Sequence, residues 1–142
     1  MTVKIATSPE EKEKAFAIRH EVFVMEQNVP IEIELDEFDD EAIHFLCYND
    51  ENEPVGASRL RIIDNYGKLE RICVLKPYRG QSYGKRLVEK MEEEIVKRGC
   101  KRAVLNAQMD VADFYETLGY QQLSEPFYEA NILHVTMEKQ LS

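Results

Sequence analysis

The sequence predicts an α/β fold with a mixed central sheet, an antiparallel meander in its N-terminal part and flanking helices. Segments rich in strand-forming residues alternate with segments whose apolar residues recur at helical spacing, and turn residues separate them. The chain has 142 residues, a common size for one domain and enough to bury a core without disulfides or metals. We therefore expect a single domain that spans residues 1–142.

The first strand and the first helix are predicted from the N-terminal residues. Residues 2–6 are rich in strand formers. Ser8 is a typical helix N-cap, Pro9 suits the first turn, and Glu11 completes a capping box three residues after the serine. Apolar residues recur at helical spacing to about residue 24, so we expect the helix to extend that far.

Three further strands are expected to form the meander. Strand formers are concentrated at residues 44–49, 55–63 and 68–75. Turn-forming residues lie between these stretches, at 50–54 and 64–67. Strands joined by such short turns pair with their neighbours in an antiparallel arrangement.

Helices and strands alternate in the second half of the chain. The predicted elements are a helix over residues 82–98, a strand over 103–107, a helix over 111–118 and a final strand pair over 120–123 and 133–139. Gly99 is a natural C-terminal stop for the first of these helices. The order β-α-β-β-β-α-β-α-β corresponds to a mixed α/β sheet.

The loop after Leu75 is the most informative feature for function. An apolar run ends there, and an amphipathic helix begins near Ser82. A strand, a small-residue loop and a helix in succession point backbone N–H groups and the positive helix end at a phosphate. Residues 76–90 carry five basic side chains and one acidic one, whereas the whole chain has a net charge of −9. We expect a phosphorylated cofactor here; a plain strand-to-helix turn is the alternative, because neither a Walker loop nor a dinucleotide fingerprint is present.

Two segments resemble motifs of the GCN5-related N-acetyltransferases. Residues 74–87 resemble the family's motif A, whose pyrophosphate loop follows the pattern [QR]-x-x-G-x-[GA]. Arg79 matches the first position and Gly84 the last, and Ser82 replaces the middle glycine. Residues 111–120 resemble the family's helix and turn A-x-x-F-Y-E-K-L-G-F.

The resemblance extends over nearly the whole chain. Residues 20–27 and 132–137 resemble the ElaA-like branch of the same family. The family implies the acyl-CoA acyltransferase fold and acetyl-CoA as cosubstrate without a metal. It also implies direct acetyl transfer to a primary amine, which we expect to be a small molecule, and often a homodimer.

The resemblance also implies a set of cofactor contacts. Backbone groups of the strand before the loop are expected to line the pantetheine arm, and the loop is expected to hold the pyrophosphate. Gln108 stands seven residues before Tyr115, where the family commonly has an asparagine, and it offers the same hydrogen-bonding groups. The expected cofactor-binding residues are Ile72, Cys73, Val74, Arg79, Gly80, Gln81, Ser82, Tyr83, Gly84, Lys85 and Gln108.

Two residues are predicted to be catalytic. The resemblance assigns Tyr115 as the acid that protonates the departing thiolate; a core tyrosine is the alternative. An amine must lose a proton before it attacks, so a general base is useful. Glu70 is the leading candidate, because strict alternation puts it on the face of Ile72 and Val74. The alternative is that Glu70 forms an ion pair with Arg71 or another charge.

Further candidates lie outside the cofactor strand. Glu26 and Gln27 are expected to contact the acceptor, and Glu26 is a second candidate for the base. His44 and His134 rank below them, because a lone histidine in a strand is more often structural. Cys73 is expected to be a small strand residue and not a nucleophile, since free cysteines are usually buried.

Composition restricts the classes of partner. Residues 20–53 contain twelve acidic side chains and no Lys or Arg, which predicts either an acidic rim that attracts a cationic amine or a solvated loop. The overall negative charge argues against nucleic-acid binding. No apolar run approaches the roughly 20 residues of a membrane helix. The three cysteines and three histidines lack metal-ligand spacing, which predicts reduced thiols in a cytoplasmic protein.

Two other classes of function stay open on the sequence. The first is a coenzyme A-binding module without catalysis, suggested by Ser82 and Gln108 at positions where the family has glycine and asparagine. The second is an enzyme similar to acyl-homoserine-lactone synthases, which the segment at residues 22–27 faintly resembles. The sequence gives no signal for the S-adenosylmethionine site that such an enzyme requires.

Overall fold

The computed structural model describes residues 1–141, which form one eight-stranded sheet flanked by helices. The strands are β1 Thr2–Ile5, β2 Ile43–Tyr48, β3 Pro54–Ile63, β4 Tyr66–Val74, β5 Arg102–Gln108, β6 Gln121–Gln122, β7 Phe127–Glu129 and β8 Ile132–Gln140. The α-helices are α1 Pro9–Arg19, α2 Ile31–Glu34, α3 Tyr83–Lys97 and α4 Ala112–Thr117. The strand order is β1-β2-β3-β4-β5-β8-β6, with β7 also paired to β8.

The mixed sheet with an antiparallel N-terminal meander is confirmed. Strands β1 to β4 pair antiparallel in sequence order, and β4 pairs parallel with β5. Strand β8 then pairs antiparallel with β5, β6 and β7. The helix α3 connects β4 to β5 and supplies the crossover that a parallel pair needs.

Local sequence signals explain why α1 and α3 form where they do. Ser8 accepts a hydrogen bond from the Glu11 backbone, and the Glu11 side chain accepts one from the Ser8 backbone, so the predicted capping box is present. The apolar side of α3 is buried against the sheet, and Gly99 adopts a φ of 84° just past its end. Gly67 of β4 allows α3 to pack closely against the strand, because a Cβ at this position would lie 2.4 Å from Cγ1 of Ile95 in α3.

Several predicted boundaries are wrong. The first helix stops being α-helical at Arg19 and continues as a π-helix over His20–Glu26. The turn predicted at residues 64–67 is shorter, because β4 already begins at Tyr66. Sequence analysis missed α2, the 3₁₀ turn Glu37–Asp40 and the strand β7.

The helices bury both faces of the sheet. Leu87, Val88, Met91 and Ile95 of α3 pack on one face, together with Leu105 of β5. On the other face, α1 packs against β2, β3 and β4 through a second apolar cluster; its buried members are Ala6, Ala15, Ile18, Val22, Leu46, Ala57 and Cys73. In residues 1–141, no helix is long and apolar enough to cross a membrane.

Strands β4 and β5 pair only over a short distance and then separate. The parallel pairing covers Gly67–Leu69 opposite Ala103–Leu105. Beyond this point a bulge bends β4, because Arg71 and Ile72 together oppose the single residue Ser58 of β3. The separated ends of the two strands open the sheet at its centre.

Candidate active site

A cavity of about 1160 Å³ lies between the separated ends of β4 and β5. It brings together residues that are far apart in the sequence, from the π-helix to β8. Almost all predicted site residues line it: Glu26, Gln27, Glu70, Ile72, Cys73, Val74, Arg79, Gly80, Ser82, Tyr83, Gly84, Lys85, Gln108 and Tyr115. Gln81 does not line it.

One end of the cavity has the features of an anion site. Two residues of the loop that precedes α3 have left-handed backbone conformations: Gly80 with a φ of 80° and Ser82 with a φ of 72°. No side chain caps the N-terminus of α3, and its first turn contains no acidic residue. The N–H groups of Tyr83, Gly84 and Lys85 therefore belong to a helix end with a positive partial charge.

Arg79 is held by two partners in this structure. Its guanidinium group forms a two-pronged ion pair with Glu26, with N···O distances of 2.6 and 2.7 Å. Its Nε donates to the Val74 carbonyl oxygen at 2.8 Å. The hydrogen bonds from Arg79 lower the pKa of the Glu26 carboxyl group. This pair joins the end of the π-helix to the loop, so a predicted cofactor residue and a predicted acceptor residue are direct neighbours.

A second contact links the same two groups of residues. Gln108 Nε2 donates to Gln27 Oε1 at 2.9 Å. Gln108 ends β5, and Gln27 follows the π-helix. Glu26 and Gln27 at the end of the π-helix therefore contact both sides of the gap, the loop after β4 through Arg79 and the end of β5 through Gln108.

The Tyr115 side chain lies in the wall of the cavity. Its hydroxyl group makes no hydrogen bond to any residue in the range 1–141, yet it is not sealed from solvent. Burial raises the pKa of the phenol above its usual value, so the group keeps its proton at neutral pH. A protonated, unpartnered hydroxyl facing a cavity can donate a hydrogen bond or a proton to a bound ligand.

Cys73 has the environment of a structural thiol. It is buried, and its Sγ donates weakly to the Ala57 carbonyl oxygen at 3.6 Å. Burial raises the pKa of the thiol to about 12. A thiol that stays protonated is a poor nucleophile, which agrees with the expectation that Cys73 forms no acyl-enzyme.

Glu70 does not lie on the face of Ile72 and Val74, so the prediction from strict alternation is wrong on this point. The bulge at Arg71 interrupts the alternation of β4, so Ile72 and Val74 pack toward α3 whereas Glu70 does not share their face. Glu70 instead accepts hydrogen bonds from Arg59 at 2.7 Å and from Arg61 at 2.7 and 3.0 Å.

These contacts also make Glu70 a weak base. Burial alone would raise the pKa of the carboxyl group, but hydrogen bonds and charge from Arg61 and Arg59 outweigh it and lower the pKa to about 2. A base role for Glu70 stays a prediction, and the geometry weighs against it. The ion pair named as the alternative is present, although its partners are Arg59 and Arg61.

Part of the acidic segment is engaged in ion pairs with arginines. Glu34 is only 2% exposed, and it accepts hydrogen bonds from Arg19 and Arg71. Asp39 pairs with Arg19 and Arg59. We call the group made by Arg19, Arg59, Arg61, Arg71, Glu34, Asp36, Asp39 and Glu70 the arginine–carboxylate network. Lys68 Nζ also lies 3.5 Å from Glu70 Oε2, so the four carboxylates of the network are fully compensated by positive side chains. The expected acidic rim is therefore reduced to the remaining exposed acids.

Among the cavity residues that sequence reasoning missed or ranked low are three polar side chains from the second half of the sheet. Asn106, Glu129 and His134 line the cavity from β5, β7 and β8. The alternation of polar and apolar residues along β5 and β8 was the available signal. It did not reveal which of the two faces borders a cavity.

Both the fold and the site geometry define a class of protein. A basic loop and helix end lie against a mixed sheet that is split between β4 and β5, and the cavity in the split joins an anion site to a polar pocket. This is the architecture of the acyl-CoA N-acyltransferases.

The comparisons with known proteins identify the family. A family model described as an acetyltransferase (GNAT) domain matches residues 5–141, so the chain belongs to the GNAT acetyltransferase family and is an acyltransferase. The Bacillus subtilis (strain 168) protein YjcF, described as an uncharacterised N-acetyltransferase, is 45% identical over 98% of this chain and 99% of its own length.

Two solved structures agree with this assignment. A protein from Lactobacillus plantarum, assigned as an N-acetyltransferase, is 29% identical and superposes with a TM-score of 0.92 over 99% of this chain and 98% of its own. Escherichia coli ElaA is 27% identical over 87% of this chain and 84% of its own length. Its crystal structure superposes with a TM-score of 0.84 over 97% of this chain and 98% of its own, at 24% identity. The GNAT fold and the ElaA-like branch are therefore confirmed.

Proposed function

We propose that this protein, acting as one domain over residues 1–142, transfers an acetyl group from acetyl-CoA directly to a small primary amine. The observation that carries the proposal is the cavity itself. It joins an uncapped helix end suited to phosphates with the unpartnered hydroxyl group of Tyr115. A pocket of this kind, in a chain of this family, matches a phosphorylated thioester donor.

The proposed cofactor site follows the separated edge of β4. Backbone N–H groups between Gly80 and Lys85 would bind the pyrophosphate. The backbones of Ile72, Cys73 and Val74 would run beside the pantetheine arm, because β5 no longer pairs with β4 beyond Leu69. Gln108 would contact the same arm from the opposite strand. The residues therefore fit the cosubstrate that the family uses.

Arg79 would act mainly through its position in the loop. Its side chain is already engaged by Glu26 and by the Val74 carbonyl oxygen. We propose that this pair fixes the loop against the π-helix, so that the backbone N–H groups are oriented for the pyrophosphate. Glu26 and Gln27 then form the boundary between the cofactor and the acceptor.

The chemistry requires a base, an oxyanion donor and an acid. The neutral amine attacks the thioester carbonyl carbon and gives a tetrahedral oxyanion. A backbone N–H of β4 beyond the bulge would stabilise this charge, since preorganised donors in a dry site are effective. The C–S bond then breaks, and the Tyr115 hydroxyl protonates the leaving sulfur.

A coenzyme A-binding module without catalysis is the second candidate. The replacement of the family's middle glycine by Ser82 is the feature that suggests it. Ser82 nevertheless adopts a φ of 72°, so the loop keeps the left-handed backbone that a glycine would allow. This observation supports coenzyme A binding, which both candidates require, so turnover with an amine is what separates the active enzyme from the binding module.

The cysteines and the net charge bear on the compartment and on the kind of acceptor that we propose. Cys47, Cys73 and Cys100 are all free and buried, which favours a reducing compartment such as the cytoplasm. The net charge of −9 favours small cationic acceptors over nucleic acids. The homodimer implied by the family stays a prediction.

Replacement of Tyr115 by phenylalanine tests the proposed acid. Tyr115→Phe should lower kcat by about 10²-fold or more, because the leaving thiolate loses its proton donor. The Kd for acetyl-CoA should stay close to that of the wild type. The measurement is thiol release and acetylated product with a panel of primary amines, beside calorimetric titration with acetyl-CoA.

Tyr128→Phe is the matched control, since Tyr128 is 75% exposed and does not line the cavity. It should leave both quantities unchanged. An unchanged kcat in Tyr115→Phe would remove Tyr115 as the acid. Tight acetyl-CoA binding without turnover on any amine would favour the binding module.

A further inference from the structure

One face of β5 and β8 is polar where it borders the cavity. Cross-strand pairing places Asn106 opposite Thr136 and Gln108 opposite His134. The residues between them, including Ala107 and Val135, are buried in the core beneath α3. Because side chains alternate along a strand, all four polar side chains lie on the face turned away from α3.

One ring nitrogen of His134 forms a hydrogen bond to the backbone, and the other has no hydrogen-bond partner among the described residues. Its Nδ1 lies 2.6 Å from the Ile132 carbonyl oxygen, which can only accept, so Nδ1 carries the hydrogen. The ring stacks on Phe127 with 6.1 Å between centroids and 22° between planes. Nε2 is then a proton acceptor. It makes no hydrogen bond to any residue in the range 1–141 and is not sealed from solvent.

Glu129 is an exposed carboxylate at the cavity, and no ion pair among the described residues compensates its charge. Its Oε2 accepts one hydrogen bond, from Asn106 Nδ2 at 3.3 Å, and Asn106 Oδ1 accepts one from Thr136 at 2.9 Å. Within residues 1–141, no cationic group lies within 4.0 Å of it. The Glu26, Glu34 and Glu70 carboxylates of the same cavity all form ion pairs with arginines.

Asp110 is the other cavity carboxylate without an ion pair among the described residues. It lies in the 3₁₀ turn Met109–Val111, between Gln108 at the end of β5 and the start of α4. Glu129 lies instead near His134. It pairs with Ile132 in the β7–β8 hairpin, which puts it diagonally across from His134 at a Cα separation of about 7–8 Å.

We propose that this polar face is the acceptor subsite, in which His134 Nε2 deprotonates the attacking amine and Glu129 binds a second cationic group. The proposal rests on the proposed acetyltransferase function and names its substrate class. The acceptor is a diamine or a related cation whose two charged groups are separated by a short alkyl chain. One group binds Glu129 and the other reaches His134.

The proton balance of this step is complete. The acceptor enters as an ammonium ion, and one of its protons moves to His134 Nε2. The freed lone pair forms the N–C bond to the thioester carbonyl carbon, and the carbonyl π electrons move to oxygen. When the C–S bond breaks, sulfur takes the Tyr115 proton, nitrogen loses its second proton to water, and water reprotonates Tyr115. One proton leaves His134 for solvent, so the net products are the amide, the free thiol and one proton.

Acceptor selectivity tests the role of Glu129. The wild type should have a lower KM for 1,4-diaminobutane than for butylamine. Glu129→Gln keeps an acceptor for the Asn106 hydrogen bond but loses the charge. It should raise KM for the diamine about 3-fold and leave KM for butylamine unchanged, since an exposed ion pair contributes only weakly to binding. Glu125→Gln is the matched control, because Glu125 is an exposed acid just before the same hairpin and does not line the cavity.

Acceptors that differ in basicity test the role of His134. His134→Gln should lower kcat with 1,4-diaminobutane by about 10²-fold or more, while the Kd for acetyl-CoA stays unchanged. The loss should be smaller with an α-amine of pKa near 8 than with an alkylamine of pKa near 10.4, because the weaker base needs less help to lose its proton.

The outcomes separate this inference from the proposed function. Equal KM values for the diamine and the monoamine in the wild type, or an equal effect of Glu129→Gln and Glu125→Gln, would overturn the cation site. A kcat loss in His134→Gln that does not depend on amine basicity would overturn the base. Neither result would contradict the proposed acetyltransferase function, provided that the wild type acetylates amines. Absence of turnover with every amine would overturn both.

Discussion

At the scale of single residues, Ser82 shows how a departure from the family pattern can be tolerated. Its φ of 72° lies in the left-handed region, where a Cβ is strained by about 1–2 kcal/mol. Its side chain makes no capping hydrogen bond to α3 that would offset this strain. Ser82 therefore keeps the loop geometry at a cost in stability.

Ser82→Gly is expected to stabilise the protein by about 0.5–1 kcal/mol. Relief of the left-handed strain should exceed the additional conformational entropy that glycine gives to the unfolded chain. Thermal or urea unfolding of the two proteins measures the difference. Ser82→Ala is the matched control, because it keeps the Cβ and should bring no gain. Equal stabilisation by both substitutions would show that strain at Ser82 is not the cause.

At the scale of elements, the bulge in β4 decides which side chains meet in the cavity. The face of Glu70 could not be predicted from alternation, since one left-handed residue, Arg71 at φ 57°, reverses the pattern. Arg71 is held in this conformation by Glu34 of α2, which is distant in the sequence. The Nε of Arg71 donates a hydrogen bond to Glu34 Oε2 at 3.0 Å. Sequence reasoning in a local window contains no information about that partner.

The arginine–carboxylate network joins four elements that would otherwise only pack side by side. Arg19 extends from α1, Glu34 from α2, Arg59 from β3 and Glu70 from β4. Removing one member would leave a buried charge without its partner, which is costly. We therefore expect the network to fix the acidic segment over the sheet.

The network should make stability depend on pH through Glu70. The folded pKa of about 2 is lower than the ordinary value of about 4.3, so the stabilisation is complete above pH 4.3 and is lost as pH falls toward 2. Glu70→Gln should lower the free energy of unfolding by roughly 3 kcal/mol at pH 7. This deficit should shrink as the pH approaches 2, as measured by urea unfolding across the acid range.

Glu37→Gln provides the comparison for this experiment. Glu37 lies in the same acidic segment, is exposed and forms no ion pair among the described residues. Its replacement should change stability little at any pH. A Glu70→Gln deficit that stays constant from pH 7 to pH 2 would contradict the account of the network.

At the scale of the whole molecule, the elements with strong local signals were predicted and those fixed by distant contacts were not. The capping box of Ser8 and Glu11 and the apolar stripe of α3 are local, and both formed as expected. The hairpin before β8 was missed, because its left-handed turn consists of Ala130 and Asn131, without the glycine that usually marks such turns.

The same distinction between local signals and distant contacts applies to the residues of the candidate site. Motif positions in the loop and Tyr115 were identifiable from sequence, because each lies in a short recognisable segment. The polar face with Glu129 and His134 required the register of β5, β7 and β8, which only the fold reveals. The assembled cavity places the two groups together across the split between β4 and β5.

Calorimetric titration of the protein with acetyl-CoA tests the central claim most directly. Lys85→Glu reverses a charge at the cavity end of α3, and Lys97→Glu reverses one at the opposite end of the same helix, outside the cavity. Lys85→Glu should fold normally, because an acidic residue suits a helix N-terminus, yet it should repel the cofactor phosphates. The account predicts that the wild type and Lys97→Glu bind acetyl-CoA alike and that Lys85→Glu binds about 10-fold more weakly or worse. No binding by the wild type, or equal weakening by both substitutions, would contradict it.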